Sequence, residues 1–195
     1  LPHFPARGLD LASFWRAAGE VVADVVPHYI GPCWFTFDPV SLLVTSHFQP
    51  DMPPLPAEWL AHEYFNDDFH KLADAARSVA GYSTIHEKTG GDPGRSEAWK
   101  RWVEPYGGDQ ELLIALRTQP AESWGLLGLY RQPGEDLFSE REIDFLRQIS
   151  TDLALGARRG LLVGEAADPE GPESPGLLIL REDWSVDSMA PGVER

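Results

Sequence analysis

Along residues 11–26 the apolar side chains fall at Leu11, Phe14, Ala18, Val21, Val22 and Val25. Steps of three and four place them on one helical stripe that needs a packing partner. Asp10 stands at the N-cap position and Pro27 stops the helix. Aromatic and strand-favouring residues at 33–37, the turn Asp38-Pro39-Val40-Ser41 and a second run at 42–48 predict a β-hairpin. Four prolines at 50–56 impose an extended or turning chain. Helical stripes return at 57–65, with Trp59, Leu60 and Tyr64, and at 67–78, with Phe69, Leu72, Ala73 and Ala76. Asn66 or Asp67 is placed to cap the second of these, and Gly81 breaks it. Residues 82–86 read as a short strand.

After a glycine-rich loop at 89–95, Ser96 opens a short helix carrying Trp99, Trp102 and Val103, which Gly107-Gly108 ends. The clearest strands, 112–118 and 123–131, flank the turn Gln119-Pro120-Ala121-Glu122 as a second hairpin. Gly125 and Gly128 inside the second strand mark a bulge or a close approach of another group. Ser139 and Glu142 form a capping box, with Phe138 and Ile143 as its hydrophobic staple. The stripe Ile143, Leu146, Ile149, Leu153, Ala157 and Leu161 follows, acidic at its start and with Arg158 and Arg159 near its end, as the helix dipole favours. This order predicts an α+β fold: one antiparallel sheet flanked by helices, the terminal helices packing together on one face. Residues 1–165 form the expected domain. Residues 166–176, rich in Pro, Gly and acid, read as a linker. Residues 177–195 read as a hairpin that starts a second domain or packs on the first, because a lone hairpin is marginal in water.

Composition narrows the function. The 195 residues are 43% hydrophobic, enough for a real core rather than wholesale disorder. The net charge of −15 argues against direct nucleic-acid binding by this segment, which would need Lys and Arg against phosphate. One cysteine, Cys33, rules out an intrachain disulfide and fits a reducing, cytoplasmic setting. No apolar run is long enough for a membrane helix, so no membrane partner is expected. The start Leu1-Pro2-His3-Phe4-Pro5 is not a signal peptide, and the absence of an initiator Met suggests a fragment or a processed chain.

Candidate chemistry is sparse. His47, His62, His70 and His86 lie near Glu63, Asp67 and Asp68 in sequence, but no His-Glu-x-x-His spacing occurs, and no metal site is expected. Cys33 among Trp34, Phe35 and Phe37 reads as a small buried hydrophobe rather than a nucleophile. Gly90-Gly91-Asp92-Pro93-Gly94 lacks the Gly-Lys-Ser/Thr of a phosphate loop, and there is no Gly-x-Ser-x-Gly elbow. No catalytic residue and no cofactor are assigned. The aromatic set Trp34, Trp59, Trp99, Trp102 and Trp124 fits core packing or an apolar pocket. Alternation groups Trp34 with Thr36, Thr45 with His47, and Tyr82 with Thr84 and His86. If those faces coincide beneath the helix of Trp59 and His62, the ligand-binding set is Trp34, Thr36, Thr45, His47, Trp59, His62, Tyr82 and His86.

The stretches Phe37-Asp38-Pro39-Val40-Ser41-Leu42-Leu43-Val44-Thr45 and Trp124-Gly125-Leu126-Leu127-Gly128-Leu129-Tyr130-Arg131, with Asp109-Gln110-Glu111-Leu112 opening the strand before, resemble a family. They are similar to the GAF-like sensory regions of actinobacterial LuxR-type helix-turn-helix transcription regulators, over roughly residues 9–163. Residues 176–195 resemble the opening hairpin of a PAS domain. The resemblance implies a small-molecule pocket between the sheet and its covering helices, and a homodimer formed through the terminal helices. The cyclic-nucleotide recognition motif of some GAF domains has no counterpart here. Bilin-binding members use a cysteine in the helical region, whereas Cys33 lies in the first predicted strand. Methionine sulfoxide reductases of this type need several cysteines. The expected function is therefore a non-catalytic sensory input domain with an unknown small-molecule ligand. The alternatives are a ligand-free dimerisation module and, third, an enzyme.

Overall fold

A computed structural model describes residues 10–50, 52, 55–119, 122–166, 178–181, 183 and 185–189. Its elements are α1 (Leu11–Val25), β1 (Tyr29–Phe37), β2 (Val44–Phe48), α2 (Ala57–Phe65), α3 (Leu72–Arg77), β3 (Tyr82–Thr84) and α4 (Ile85–Thr89). There follow α5 (Glu97–Trp102), β4 (Gln110–Gln119), β5 (Glu122–Arg131), α6 (Glu140–Ala166), β6 (Leu178–Leu180) and β7 (Val186–Met189). The first five strands form one antiparallel sheet in the order β2-β1-β5-β4-β3, and β6 and β7 form a separate pair. The expected α+β architecture is the observed one.

The sheet is buried on both faces, so its central strands are almost continuously apolar. On one face Trp34, Leu112, Ile114, Leu116, Leu127 and Leu129 meet the stripes of α1 and α6. The α6 stripe is the predicted one through Ala157; the Leu161 side chain lies outside the described residues. Two glycines let the terminal helices approach. A Cβ at Gly156 would stand 2.0 Å from the Phe14 ring, and one at Gly160 would stand 2.9 Å from the Leu11 backbone. On the other face Cys33, Phe35, Phe37, Leu113, Ala115 and Leu126 pack against α3.

Local signals hold where they are self-contained. Asp10 Oδ1 accepts from the Ser13 amide at 2.9 Å. Glu142 Oε2 accepts from the Ser139 amide at 2.7 Å, and Ser139 Oγ accepts from the Glu142 amide at 3.4 Å. Both staple residues, Phe138 and Ile143, join the core. Gly125 marks a bulge and a close approach together. The β4–β5 register slips from Leu116↔Gly125 to Arg117↔Ser123, and a Cβ at Gly125 would lie 2.0 Å from the Phe35 carbonyl oxygen.

Two expectations are corrected. The helix expected over 67–78 spans only Leu72–Arg77. Its missing first half is taken by long-range capping. Glu63 Oε1 on α2 accepts from the Leu72 amide at 3.0 Å, while Asp68 bonds the Phe69 and Ala98 amides. The strand expected over 82–86 ends at Thr84, whose hydroxyl caps α4 by accepting from the Glu87 amide at 3.2 Å. His86 is therefore helical.

Ala166 still belongs to α6. The rest of the expected linker, Pro53-Pro54, Pro120-Ala121, Trp184 and 190–195 lie outside the described residues. The β6–β7 pair contacts the main body: Ile179 is buried in the α1–α6 core, and Arg158 of α6 pairs with Asp187.

Candidate functional site

The sheet face away from α1 and α6 carries a cavity of about 260 Å³. Its floor is built by strand alternation. Cys33 and Phe35 come from β1, Glu111 from β4 and Tyr130 from β5. The roof comes from α2, with Trp59, His62 and Glu63, and from α5, with Trp99, Arg101 and Trp102. Asp68 ties the two roof helices together. Its Oδ2 lies 2.8 Å from His62 Nε2 and accepts from the Ala98 amide at 2.8 Å. Burial pushes the Asp68 pKa up, but these bonds and the Phe69 amide outweigh it and hold the carboxyl below its ordinary value.

The aromatic walls are ordered against one another. Phe35 and Trp59 are stacked with centroids 5.5 Å apart and planes 11° from parallel. Trp102 meets His62 edge-on at 5.3 Å. The Trp99 indole donates to the Asp109 carbonyl at 2.8 Å, which fixes α5 against the start of β4.

The floor is a buried polar chain. His70, placed between α2 and α3, has Nδ1 3.0 Å from Glu111 Oε2, and the Tyr130 hydroxyl donates to Glu111 Oε1 at 3.2 Å. Burial, reinforced by Glu111, raises the Tyr130 phenol and the Cys33 thiol well above their ordinary values. Cys33 is therefore a protonated thiol at neutral pH, its Sγ 3.1 Å from His47 Nε2. Burial also lowers the His47 pKa, which favours the neutral ring. Glu63 is raised to about 7. Burial drives that shift and Glu111 adds to it, against the opposing Ala73 and Leu72 amides and Lys71. Among the described residues no three His, Cys, Asp or Glu side chains converge as a metal-ligand set.

The structure separates the eight residues expected to line one pocket. Trp59 and His62 line the cavity. His47 stands beside it, tilted against Phe35, and with Thr45 lines a neighbouring cleft along β2. Trp34 lies on the opposite sheet face, stacked on Trp15 at 4.4 Å and 10°. Thr36 shares that parity and is fully buried, its Oγ1 2.8 Å from Thr45 Oγ1 and 2.6 Å from Ser46 Oγ. Tyr82 packs against the α1–α6 core. His86 sits on α4 with Nε2 3.5 Å from Asp109 Oδ2, away from the cavity. The anticipated coincidence of faces does not hold, because β1 presents Cys33 and Phe35, not Trp34 and Thr36, to the roof helices. Glu63, His70, Glu111 and Tyr130 are the floor and wall residues that the pocket reading omitted. One signal pointed to them: Glu111 shares strand parity with apolar Leu113 and Ala115, a charge on a face that must be buried.

No family model and no curated protein matches this chain. Solved structures do. The LBD domain of VqsR from Pseudomonas aeruginosa aligns at 17% identity and TM-score 0.53, over 79% of this chain and 90% of that one. The GAF domain/HD domain protein from Geobacter sulfurreducens aligns at 15% and 0.51, over 76% and 93%. GAF3 of Slr1393 from Synechocystis sp. PCC6803, in its photoproduct state, aligns at 17% and 0.51, over 80% and 98%. No helix among the described residues is long and apolar enough to cross a membrane. With its five-stranded antiparallel sheet and flanking helices, the chain has a GAF-like α+β fold.

Proposed function

We propose that this chain is a non-catalytic sensory domain that binds a small molecule in the cavity beneath α2 and α5. One observation carries the reading: the cavity stays open although Trp59, Trp99 and Trp102 surround it. In a purely structural module those rings would fill the space, as Trp15 and Trp34 do under α1. The one thiol is held protonated, which supports binding rather than nucleophilic chemistry.

A route to the terminal helices follows from strand alternation. Tyr130 faces the cavity floor, and its neighbour Arg131 faces the other way. Arg131 pairs with Glu142 in the first turn of α6 at 2.5 Å and donates to the Pro27 carbonyl, just after α1, at 3.1 Å. A ligand that binds two settings of Tyr130 unequally would shift this link. The sequence resemblance extends the proposal. The domain serves a cytoplasmic LuxR-type transcription regulator as a homodimer, residues 177–195 open a PAS-like domain, and DNA contact falls to another segment.

Native mass spectrometry tests the core of the reading. A non-covalent extra mass that is lost on denaturation, and is absent from Trp59→Ala, supports it. A bare dimer whose thermal midpoint no metabolite library shifts would return the chain to the scaffold reading.

A further inference from the structure

The polar equipment of the cavity points to a class of ligand, an inference that rests on the sensory reading above. His70 is 8% exposed and lines the cavity. Its Nδ1 lies 3.0 Å from a Glu111 carboxylate oxygen, which only accepts, so Nδ1 carries the proton. In the neutral ring Nε2 is then a lone-pair acceptor. It is buried and has no hydrogen-bond partner, and no other cavity-lining residue among those described has a buried side-chain nitrogen or oxygen so placed. A buried acceptor left unpaired weakens the fold, and an occupant that donates to it recovers the bond.

Size and charge narrow the class further. About 260 Å³ is below the range of drug-sized pockets, which favours one or two fused rings over a nucleotide or a tetrapyrrole. The parallel Phe35–Trp59 pair and Trp102 offer flat apolar contact. The Glu111 carboxylate borders the space and repels an anion. Arg101, the one Arg or Lys side chain among the described residues that lines it, belongs to an exposed residue, its guanidinium 5.9 Å from the Trp102 ring.

We propose that the cavity takes a compact planar aromatic molecule with a hydrogen-bond donor and no anionic group, its donor meeting His70 Nε2. Three matched probes test this on the full 195-residue chain labelled with 15N: indole, 1-benzothiophene, which lacks the N–H, and indole-3-carboxylate, which adds an anion. The signals read are His70 Nε2 and the indole N–H groups of Trp59 and Trp102.

The expected result is that indole binds about fivefold or more tighter than 1-benzothiophene, the worth of one buried hydrogen bond. It moves the Nε2 resonance, and indole-3-carboxylate binds more weakly than indole. His70→Phe should erase the preference for indole, and His70→Gln, which keeps an acceptor, should retain part of it. If His70→Phe fails to fold, the matched pair on the unmodified chain decides. Equal binding of indole and 1-benzothiophene, tighter binding of the carboxylate, or an Nε2–H proton in the free protein would overturn the ligand class while leaving the cavity reading intact. If none of the three probes moves the Trp59 or Trp102 signals, the ligand class falls, and the cavity reading is decided separately by the native mass spectrum.

Discussion

Glu63 offers a sharp test of the site's electrostatics. The residue is 8% exposed, and burial lifts its pKa from the ordinary 4.5 to about 7. The sign is opposite to that of a salt-bridged carboxylate. Between these two values the unfolded chain releases a proton that the folded chain keeps, so stability falls as pH rises. At ~1.36 kcal/mol per decade the full loss is about 3 kcal/mol, of which about 2.5 accrues between pH 5 and pH 8. Glu63→Gln keeps an oxygen to accept from the Leu72 and Ala73 amides and removes the charge. Urea unfolding of both proteins at pH 5 and pH 8 checks it. The variant should be more stable by about 2–3 kcal/mol at pH 8 and by less than about 1 at pH 5. The difference between the two chains isolates Glu63 from His47. The lowered His47 pKa acts at the other end, removing stability as pH falls below the ordinary histidine value of 6.5. A gap that is the same at both pH values would refute the burial argument.

Other consequences follow from packing. Gly125→Ala places a Cβ against the Phe35 carbonyl and should cost about 3 kcal/mol or more, read by denaturant midpoint. Gly156→Ala collides with the Phe14 ring and should cost about 1–3 kcal/mol, with near-ultraviolet circular dichroism reporting the loosened α1–α6 contact. Trp15→Ala removes half of the buried indole stack and should cost about 3–5 kcal/mol, whereas Trp59→Ala, at the cavity wall, should cost about 1. Equal losses from the two tryptophans would contradict the assignment of one to the core and the other to a binding site. Ser139→Ala should cost about 1 kcal/mol by unmaking the capping box, measured as a shift in thermal midpoint.

Much of the fold was legible in the chain because its causes are local. The α1 stripe, the Asp10 cap, the Ser139–Glu142 box and the 123–131 strand all depend on residues within a few positions of one another. The bulge at Gly125 was also readable, because a glycine inside an apolar strand has few other reasons to be there. Alternation showed which residues of a strand share a face, and Trp34 and Thr36 do share one. Which of the two faces looks onto the cavity depends on where the helices settle. Both faces of this sheet are apolar, so hydrophobicity could not choose between them.

The tertiary structure decided the rest, through bonds between residues distant in sequence. Glu63 caps α3 from the neighbouring helix, so the expected helix over 67–78 begins only at Leu72 and 67–71 is left to bridge α2 and α5. His70 meets Glu111 across 41 positions through Nδ1, and Nε2 is the ring nitrogen left without a partner. Periodicity and capping are properties of a short stretch of chain, and the sequence by itself determined them. A cavity is what remains between elements after they pack, and only the packed molecule determines it.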